Sequence, residues 1–216
     1  MKTKPSIFKI TLLTIIIILS GCIDNQKDEV INPLDNIEEK SLKSSELSQT
    51  SSLTPEETDG LLFMREEEKL ARDVYLELYS KYQHQVFYNI SQSEQVHTDA
   101  ILKLLNYYDL EDPFINVIGE FTEPTLQELY TILIDLGRIN LDSALVVGAI
   151  IEETDLRDIE VWKSYTEIQN ITQVYDHLIS GSQNHLRAFV QDLDKRGIEY
   201  YPRILSIEKF NEIINN

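Results

Sequence analysis

The chain has 216 residues, of which 37 are acidic and 19 basic, and its formal net charge at pH 7 is −18. A surface this acidic repels phosphate backbones, which excludes nucleic acid as an expected partner, and it attracts cations. The single cysteine excludes an intramolecular disulfide bond.

The amino terminus has the pattern of a secretion signal. Three lysines precede an apolar run from Ile10 to Leu19, which is too short to span a bilayer comfortably, and small residues then lead to Cys22. The segment Leu19-Ser20-Gly21-Cys22 resembles the lipobox of prokaryotic lipoproteins, which implies cleavage after residue 21 and acylation of Cys22. We therefore expect an exported protein, anchored to the membrane by lipid on the cell surface or periplasmic side. The alternative is an ordinary signal peptide with a chance cysteine.

Composition divides the rest of the chain into two parts. Residues 22–54 are polar, charged and rich in serine, and they lack the apolar residues that would offset the entropy of ordering them. We interpret this segment as a flexible linker. Residues 55–216 are enough for one domain with a single substantial core.

Start and stop signals predict helices throughout that domain and no strand. Thr54-Pro55-Glu56-Glu57 combines a hydroxyl cap, an N1 proline and first-turn acids, and Asn170 with Gln173 resembles a capping box. The predicted helices cover about 54–82, 87–108, 124–136, 140–165 and 170–196, with a short helix capped by Ser206. Four long helices predict an all-α bundle, with an up-down-up-down order unless the link between the second and third long helices crosses it.

Each long helix carries polar residues in the middle of its apolar stripe. These residues are Glu68; Glu94 and His97; Glu152 and Asp155; and Ser182 and His185. Buried carboxylates need a counter-charge, and no arginine recurs on all four stripes, so a cation is the better partner. Glu and His three residues apart share a helix face, and carboxylate with imidazole suits iron, manganese or zinc better than calcium.

Four segments carry a resemblance to a known family. They are EEKLARDVY (67–75), SEQVH (93–97), VGAIIEETDLRDIE (147–160) and SGSQNHLRAFV (180–190). In order and spacing they resemble the ferritin-like family catalogued as domain of unknown function 2202, related to rubrerythrin and bacterioferritin.

The resemblance implies a ferritin-like four-helix bundle, with a short extra helix in a long crossover between the second and third long helices. It also implies a two-metal centre in which one Glu comes from each of two helices and a Glu-x-x-His from each of the other two. Matched by position, the metal ligands are Glu68, Glu94, His97, Glu152 and His185, with Asp155 as an additional acid.

The fourth long helix departs from this pattern, because Ser182 occupies the position where the wider superfamily that includes rubrerythrin and bacterioferritin has Glu. Either Asp155 substitutes for the missing carboxylate, or only one ion binds well. Because oxidase chemistry needs two redox metals, the departure weakens the prediction of a di-metal oxidoreductase and leaves the catalytic residues unassigned.

Several alternatives stay open. An error of one residue in the helical periodicity would exchange Glu68 for Glu67, or Glu152 for Glu153, as a metal ligand. The chain could also be a non-catalytic scaffold lipoprotein with a vestigial metal site, and a homodimer is an open expectation. Passive metal storage inside a closed protein shell fits poorly with a lipid tether. His84 and His177 are interpreted as ordinary surface residues.

Overall fold

The computed structural model describes residues 53–216, and these form six helices and no strand. The helices are α1 (Pro55–Tyr82), α2 (Gln85–Tyr107), α3 (Pro124–Gly137), α4 (Leu141–Lys163), α5 (Gln169–Lys195) and α6 (Ile207–Ile214). Within this range no helix is both long enough and apolar enough to cross a membrane. The predicted signal peptide (1–21), Cys22 and nearly all of the predicted linker lie outside the described residues.

Three of the predicted caps are present. Thr54 accepts a hydrogen bond from the Glu57 amide, and the Glu57 carboxylate accepts one from the Thr54 amide, so α1 begins with a complete capping box. Asn140 caps α4 and Ser206 caps α6 through their side-chain oxygens. These local signals therefore fix where three of the helices begin.

The predicted capping box of the fourth long helix is wrong. Helix α5 begins one residue earlier, at Gln169, and Ile168 stands at its N-cap without a side-chain hydrogen bond. The Asn170 side chain instead accepts a 2.7 Å hydrogen bond from the hydroxyl of Tyr108, at the end of α2. The Asn170 side chain, which the local pattern assigned to a helix cap, therefore makes a contact between helices instead.

The four long helices pack as a ring in which α1 contacts α2, α2 contacts α5, α5 contacts α4, and α4 contacts α1. Although α2 and α4 are consecutive long helices, they are not neighbours. The connection between them therefore passes from one corner of the ring to the opposite corner, which is the exception under which the up-down-up-down order is expected to fail. Helix α3, which lies within this connection, packs against both α1 and α4.

Buried charges on the outer side of α1 hold the start of this connection. Arg65 pairs with Asp112 through two hydrogen bonds of 2.9 and 2.8 Å. Glu66 accepts hydrogen bonds from the backbone amides of Thr122 and Glu123. These ionisable groups are therefore used to fix the connection rather than to bind a ligand.

The core has two apolar clusters separated by a polar layer. One cluster holds Leu61, Met64, Ile101, Leu104, Leu105, Ile159, Ile171, Tyr175 and Leu178. The other contains residues from all four long helices, including Val74, Phe87, Leu145 and Phe189. Along α1, α2 and α5, the interrupting polar residues predicted from the sequence fall between the members of the two clusters, whereas on α4 Leu156 of the larger cluster follows Glu152 and Asp155.

Candidate metal centre

The structure shows which of the neighbouring acids face the polar layer. Glu68, Glu94 and Glu152 are fully buried in the polar layer. Glu153, the neighbour of Glu152, points to the carboxyl-terminal segment, where it accepts hydrogen bonds from the Tyr200 hydroxyl and from three consecutive backbone amides, 203–205. Consecutive acids on α4 therefore face different surroundings.

Two groups of three buried side chains converge, and each could hold a metal ion. Glu68, Glu94 and His97 form one group, while Glu94, Glu152 and His185 form the other. In each group the candidate ligand atoms lie within 4.8 Å of one another. Glu94 belongs to both groups, so its carboxylate stands between the two histidines.

Both imidazoles direct Nδ1 toward Glu94. His97 Nδ1 lies 2.8 Å from Glu94 Oε2, and His185 Nδ1 lies 2.8 Å from Glu94 Oε1. His97 Nδ1 also lies 3.1 Å from Glu68 Oε2, and His185 Nδ1 lies 3.4 Å from Glu152 Oε2. One histidine is therefore shared between Glu68 and Glu94, and the other between Glu94 and Glu152.

Most of these short contacts between imidazole nitrogen and carboxylate oxygen do not have the geometry of a hydrogen bond. Both oxygens of Glu94, one oxygen each of Glu68 and Glu152, and Nδ1 of His185 are buried without a hydrogen-bond partner. Buried polar atoms are rarely left unsatisfied in folded proteins. Of the four contacts only His97 Nδ1 to Glu68 Oε2 meets the geometry of a hydrogen bond. Nitrogen and oxygen atoms that lie within 4.8 Å of one another and mostly lack hydrogen-bond partners could hold a cation, so the residues present fit a metal ion.

The arginines near these residues in sequence supply no counter-charge to the layer. Arg65 bonds to the Thr98 carbonyl as well as to Asp112. Arg72 contacts Asp73 and Gln95. Arg187, on α5, donates to the Ile213 carbonyl and to Asn184. Arg157, also near in sequence, pairs with Asp158 and opposes the rise in the pKa of Glu67. The positive charge that acts on Glu68, Glu94 and Glu152 is therefore that of the two imidazoles or of a bound cation.

Without a metal ion, burial and mutual charge shift these groups strongly. Burial raises the pKa of the Glu68 carboxyl to about 7, against the opposing effect of His97. Burial likewise raises the pKa of Glu152 to about 7, opposed by His185. For Glu94, burial raises the pKa, but the two imidazoles outweigh it and the net pKa falls well below the usual range. Glu94 is therefore the carboxylate that stays ionised.

The histidines shift in the opposite sense. Burial lowers the pKa of His185, but Glu94 and Glu152 outweigh burial and raise it to about 10. Glu68 and Glu94 in the same way raise the pKa of His97 well above its usual value. Since a metal ion needs unprotonated imidazole nitrogen, metal binding at this layer must displace protons.

Two further side chains orient the candidate ligands. The Tyr75 hydroxyl donates a 2.6 Å hydrogen bond to Glu152 Oε1, and burial and the neighbouring Glu152 raise its pKa, so it keeps its proton. His185 Nε2 lies 2.9 Å from Ser93 Oγ. Such partners fix which ligand atom faces the metal. In the sequence, Tyr75 ends the family-like segment 67–75, and nothing marked Ser93.

Gly181 on α5 gives the His97 ring its space. A Cβ atom at this position would lie 2.4 Å from both Cε1 and Nε2 of His97, which no real side chain tolerates. A glycine within a long helix is the kind of signal that marks such a close approach, although the sequence does not name its partner. The exposed ring of His177, one turn earlier, meets His97 edge-on with ring centroids 5.7 Å apart.

The last predicted ligand, Asp155, lies outside both groups. Its side chain is buried, burial followed by repulsion from Glu67 raises its pKa well above the usual value, and Oδ2 has no hydrogen-bond partner. Asp155 and Glu67 line a small cavity of about 10 Å³ between α1, α3 and α4, shared with apolar residues. This volume is near the minimum for one water molecule.

Ser182 does not replace the carboxylate that the fourth long helix lacks. It is fully buried, and its hydroxyl donates a 3.1 Å hydrogen bond to the Leu178 carbonyl within the same helix. The layer therefore brings together three carboxylates and two imidazoles in its two groups, with Glu94 as the one carboxylate common to both.

Comparison with known proteins places this geometry in a family. The model of the family described as "Uncharacterized protein domain (DUF2202)" matches residues 57–216. The chain belongs to this family. The match spans all the helices that carry the polar layer, and it confirms domain of unknown function 2202 as the domain that the four sequence segments resemble.

The DUF2202 domain is also similar to an archaeal protein. The chain is 47% identical over 165 residues to "Uncharacterized protein MJ0754" of Methanocaldococcus jannaschii, covering 76% of this chain and 89% of that protein. It also matches the crystal structure of hypothetical protein MJ0754 from Methanococcus jannaschii with a TM-score of 0.74 and 46% identity, covering 82% of this chain and 98% of that one.

Proposed function

We propose that this chain is a ferritin-like metal protein, whose four-helix bundle holds one or two transition-metal ions in the polar layer. The observation that carries the proposal is the sharing of Glu94 between two buried groups, each completed by one more carboxylate and one imidazole. A carboxylate shared in this way is suited to bridge two ions. The diagonal placement of α2 and α4 supports the ferritin-like assignment, because that class of bundle has one long crossover.

The donor set suits iron first, with manganese or zinc as the other candidates. Two redox-active ions held roughly 3.5–4 Å apart can react with oxygen or peroxide. Around them, this chain's own residues hold the ligands in place: Tyr75 orients Glu152, and Ser93 orients His185. With Ser182 in place of a second bridging carboxylate, the proposal extends to redox activity only if two ions bind.

Metal analysis tests the proposal. The purified chain should carry close to stoichiometric metal, and the Glu94→Ala/His97→Ala variant should carry almost none. Sub-stoichiometric metal in both proteins, with the folded helical content retained, would refute it.

The second candidate is a non-catalytic scaffold with a vestigial metal site, which the missing carboxylate at Ser182 favours. The two candidates differ in how a chelator affects stability. A bound ion stabilises the folded state, so chelator should lower the melting temperature of a functional metal protein. An unchanged melting temperature would favour the scaffold.

We also propose export and lipid anchoring at Cys22, which rest on the lipobox-like segment alone. Replacing Cys22 with Ala should release the protein from membranes. Persistent membrane attachment of that variant would count against acylation.

A further inference from the structure

We call the α1–α4 and α2–α5 interfaces of the helix ring its seams. These two seams differ in what covers them. Helix α3 contacts both α1 and α4 and so covers the seam between these helices. Among residues 53–216, no helix contacts both α2 and α5, and α6 contacts α5 alone. Of these two seams, the α2–α5 seam is therefore the one that no further helix covers among residues 53–216.

The side chains along this seam are small where they pass the candidate ligands. Helix α5 presents Gly181 and Ser182 here, and α2 presents the half-buried Ser93. His185 borders the seam and is 7% exposed, whereas Glu68, Glu94 and Glu152 are completely buried. Of the five candidate ligands, His185 is thus the most exposed to solvent, and the side chains beside it on this seam are small.

An exposed imidazole stands at the outer side of this seam. His177 lies one helical turn before Gly181, so both face the His97 ring, and its own ring meets His97 edge-on at 5.7 Å. The other surface histidine differs, because His84 Nε2 is bonded to Asp192 Oδ2 at 2.8 Å. His177 is therefore a surface imidazole, the kind of side chain that binds transition metals, in contact with a buried candidate ligand.

We propose that divalent transition-metal ions reach the polar layer through the α2–α5 seam, and that His177 is the outer ligand that first receives them. An ion held by His177 needs only a movement of the His97 ring to pass to Glu68 and Glu94. The acidic surface concentrates cations around the chain, and His177 supplies a nitrogen donor beside a seam lined by small side chains. This inference rests on the proposed metal-binding function.

The test measures how fast Co²⁺ enters the metal-free full chain, followed by the visible absorption of the bound ion after rapid mixing. His177→Ala should slow uptake several-fold while the final amount of bound Co²⁺ stays the same. His177→Phe keeps an aromatic ring against His97 but offers no donor, so it should be equally slow. His84→Ala is the matched control and should fill at the wild-type rate.

Each other outcome has a definite meaning. Uptake by His177→Phe at the wild-type rate would overturn the inference, since ring packing alone would then suffice. A lower final amount of Co²⁺ in the His177 variants would also overturn it, because His177 would then be a resident ligand. If the wild-type chain binds no Co²⁺, iron or manganese, the proposed function itself fails. This outcome is distinct from a change in the uptake rate of a variant, which bears only on the entry route.

Discussion

Oε1 of Glu94 lies 2.8 Å from Nδ1 of His185, although the two residues are on different helices and more than ninety positions apart in sequence. The other oxygen of Glu94 stands at the same distance from Nδ1 of His97. A single carboxylate thus links the two halves of the polar layer, and the account of this protein as a metal binder depends on it.

Replacing Glu94 by Gln should remove metal from both groups at once. Glutamine keeps the size of the side chain but loses the negative charge and one of the two acceptor oxygens. Metal content should fall to near zero, as measured by elemental analysis. Glu160→Gln, an exposed position on α4, is the control and should keep its metal. Normal metal content in Glu94→Gln would mean that the layer is not the binding site.

Adding the missing carboxylate should strengthen a two-ion site. In Ser182→Glu a carboxylate would stand three residues before His185, on the same helix face. We expect the metal-free variant to lose several kcal/mol of stability, because it buries one more charge. With metal present, bound ions per chain should rise toward two by titration calorimetry. Ser182→Gln matches the volume without the charge, and an equal gain in that variant would contradict this explanation.

Gly181→Ala should disturb the His97 ring. The new Cβ would lie 2.4 Å from two ring atoms, and overpacking of this kind costs about 1–3 kcal/mol, partly offset by the better helix propensity of alanine. Metal affinity and the melting temperature should both fall. Ser182→Ala, the next position on the same helix, is the comparison and should have a much smaller effect on metal affinity. A Gly181→Ala protein with full metal affinity would show that the ring has more room than the structure gives it.

The metal-free protein should become less stable as the pH rises. Folding raises the pKa of Glu68 from 4.5 to about 7 and that of His185 from 6.5 to about 10. The native state then binds more protons than the unfolded state from about pH 4.5 to pH 10, so the free energy of unfolding falls across this range. Denaturant titrations of the metal-free chain at pH 6 and pH 8.5 measure this change.

Metal should reverse that dependence. Binding displaces protons from the same groups, so affinity should increase as the pH rises through 7, and calorimetry in buffers of different ionisation enthalpy should detect the released protons. Metal affinity that is independent of pH between 6 and 8 would be inconsistent with ligands from this layer.

Glu153→Gln should loosen the carboxyl-terminal segment without emptying the metal site. An amide cannot accept from the Tyr200 hydroxyl and from all three backbone amides as the carboxylate does. We expect a loss of about 1–3 kcal/mol, faster hydrogen exchange of the amides at 203–205, and unchanged metal content. Metal loss that exceeds the loss of stability would reopen the choice between Glu152 and Glu153.

Local signals predicted most of the fold because helix starts depend on nearby atoms. Thr54 and Asn140 cap their helices through backbone amides three residues away, so their patterns were sufficient. Asn170 failed because its partner is Tyr108, a residue of another helix that local spacing cannot reveal.

In the candidate site, too, local patterns predicted which residues face inward but not the contacts between helices. Periodicity placed Glu68, Glu94, His97, Glu152 and His185 on inward faces, and the structure brings all five together. It could not show that Glu94 is shared, that Asp155 instead lines a cavity with Glu67, or that His177 contacts His97. Each of these relationships joins different helices and depends on how the helices are rotated against one another.

The most direct test of metal binding at the shared carboxylate is anomalous X-ray diffraction from crystals of the chain grown with iron or manganese, recorded on both sides of the metal's absorption edge. We predict an anomalous peak within about 2 Å of a Glu94 oxygen and of a histidine Nδ1. A second peak on the other side of Glu94 would indicate a two-ion site. Well-ordered crystals with no peak in the polar layer, at metal concentrations that saturate the protein in solution, would contradict the account.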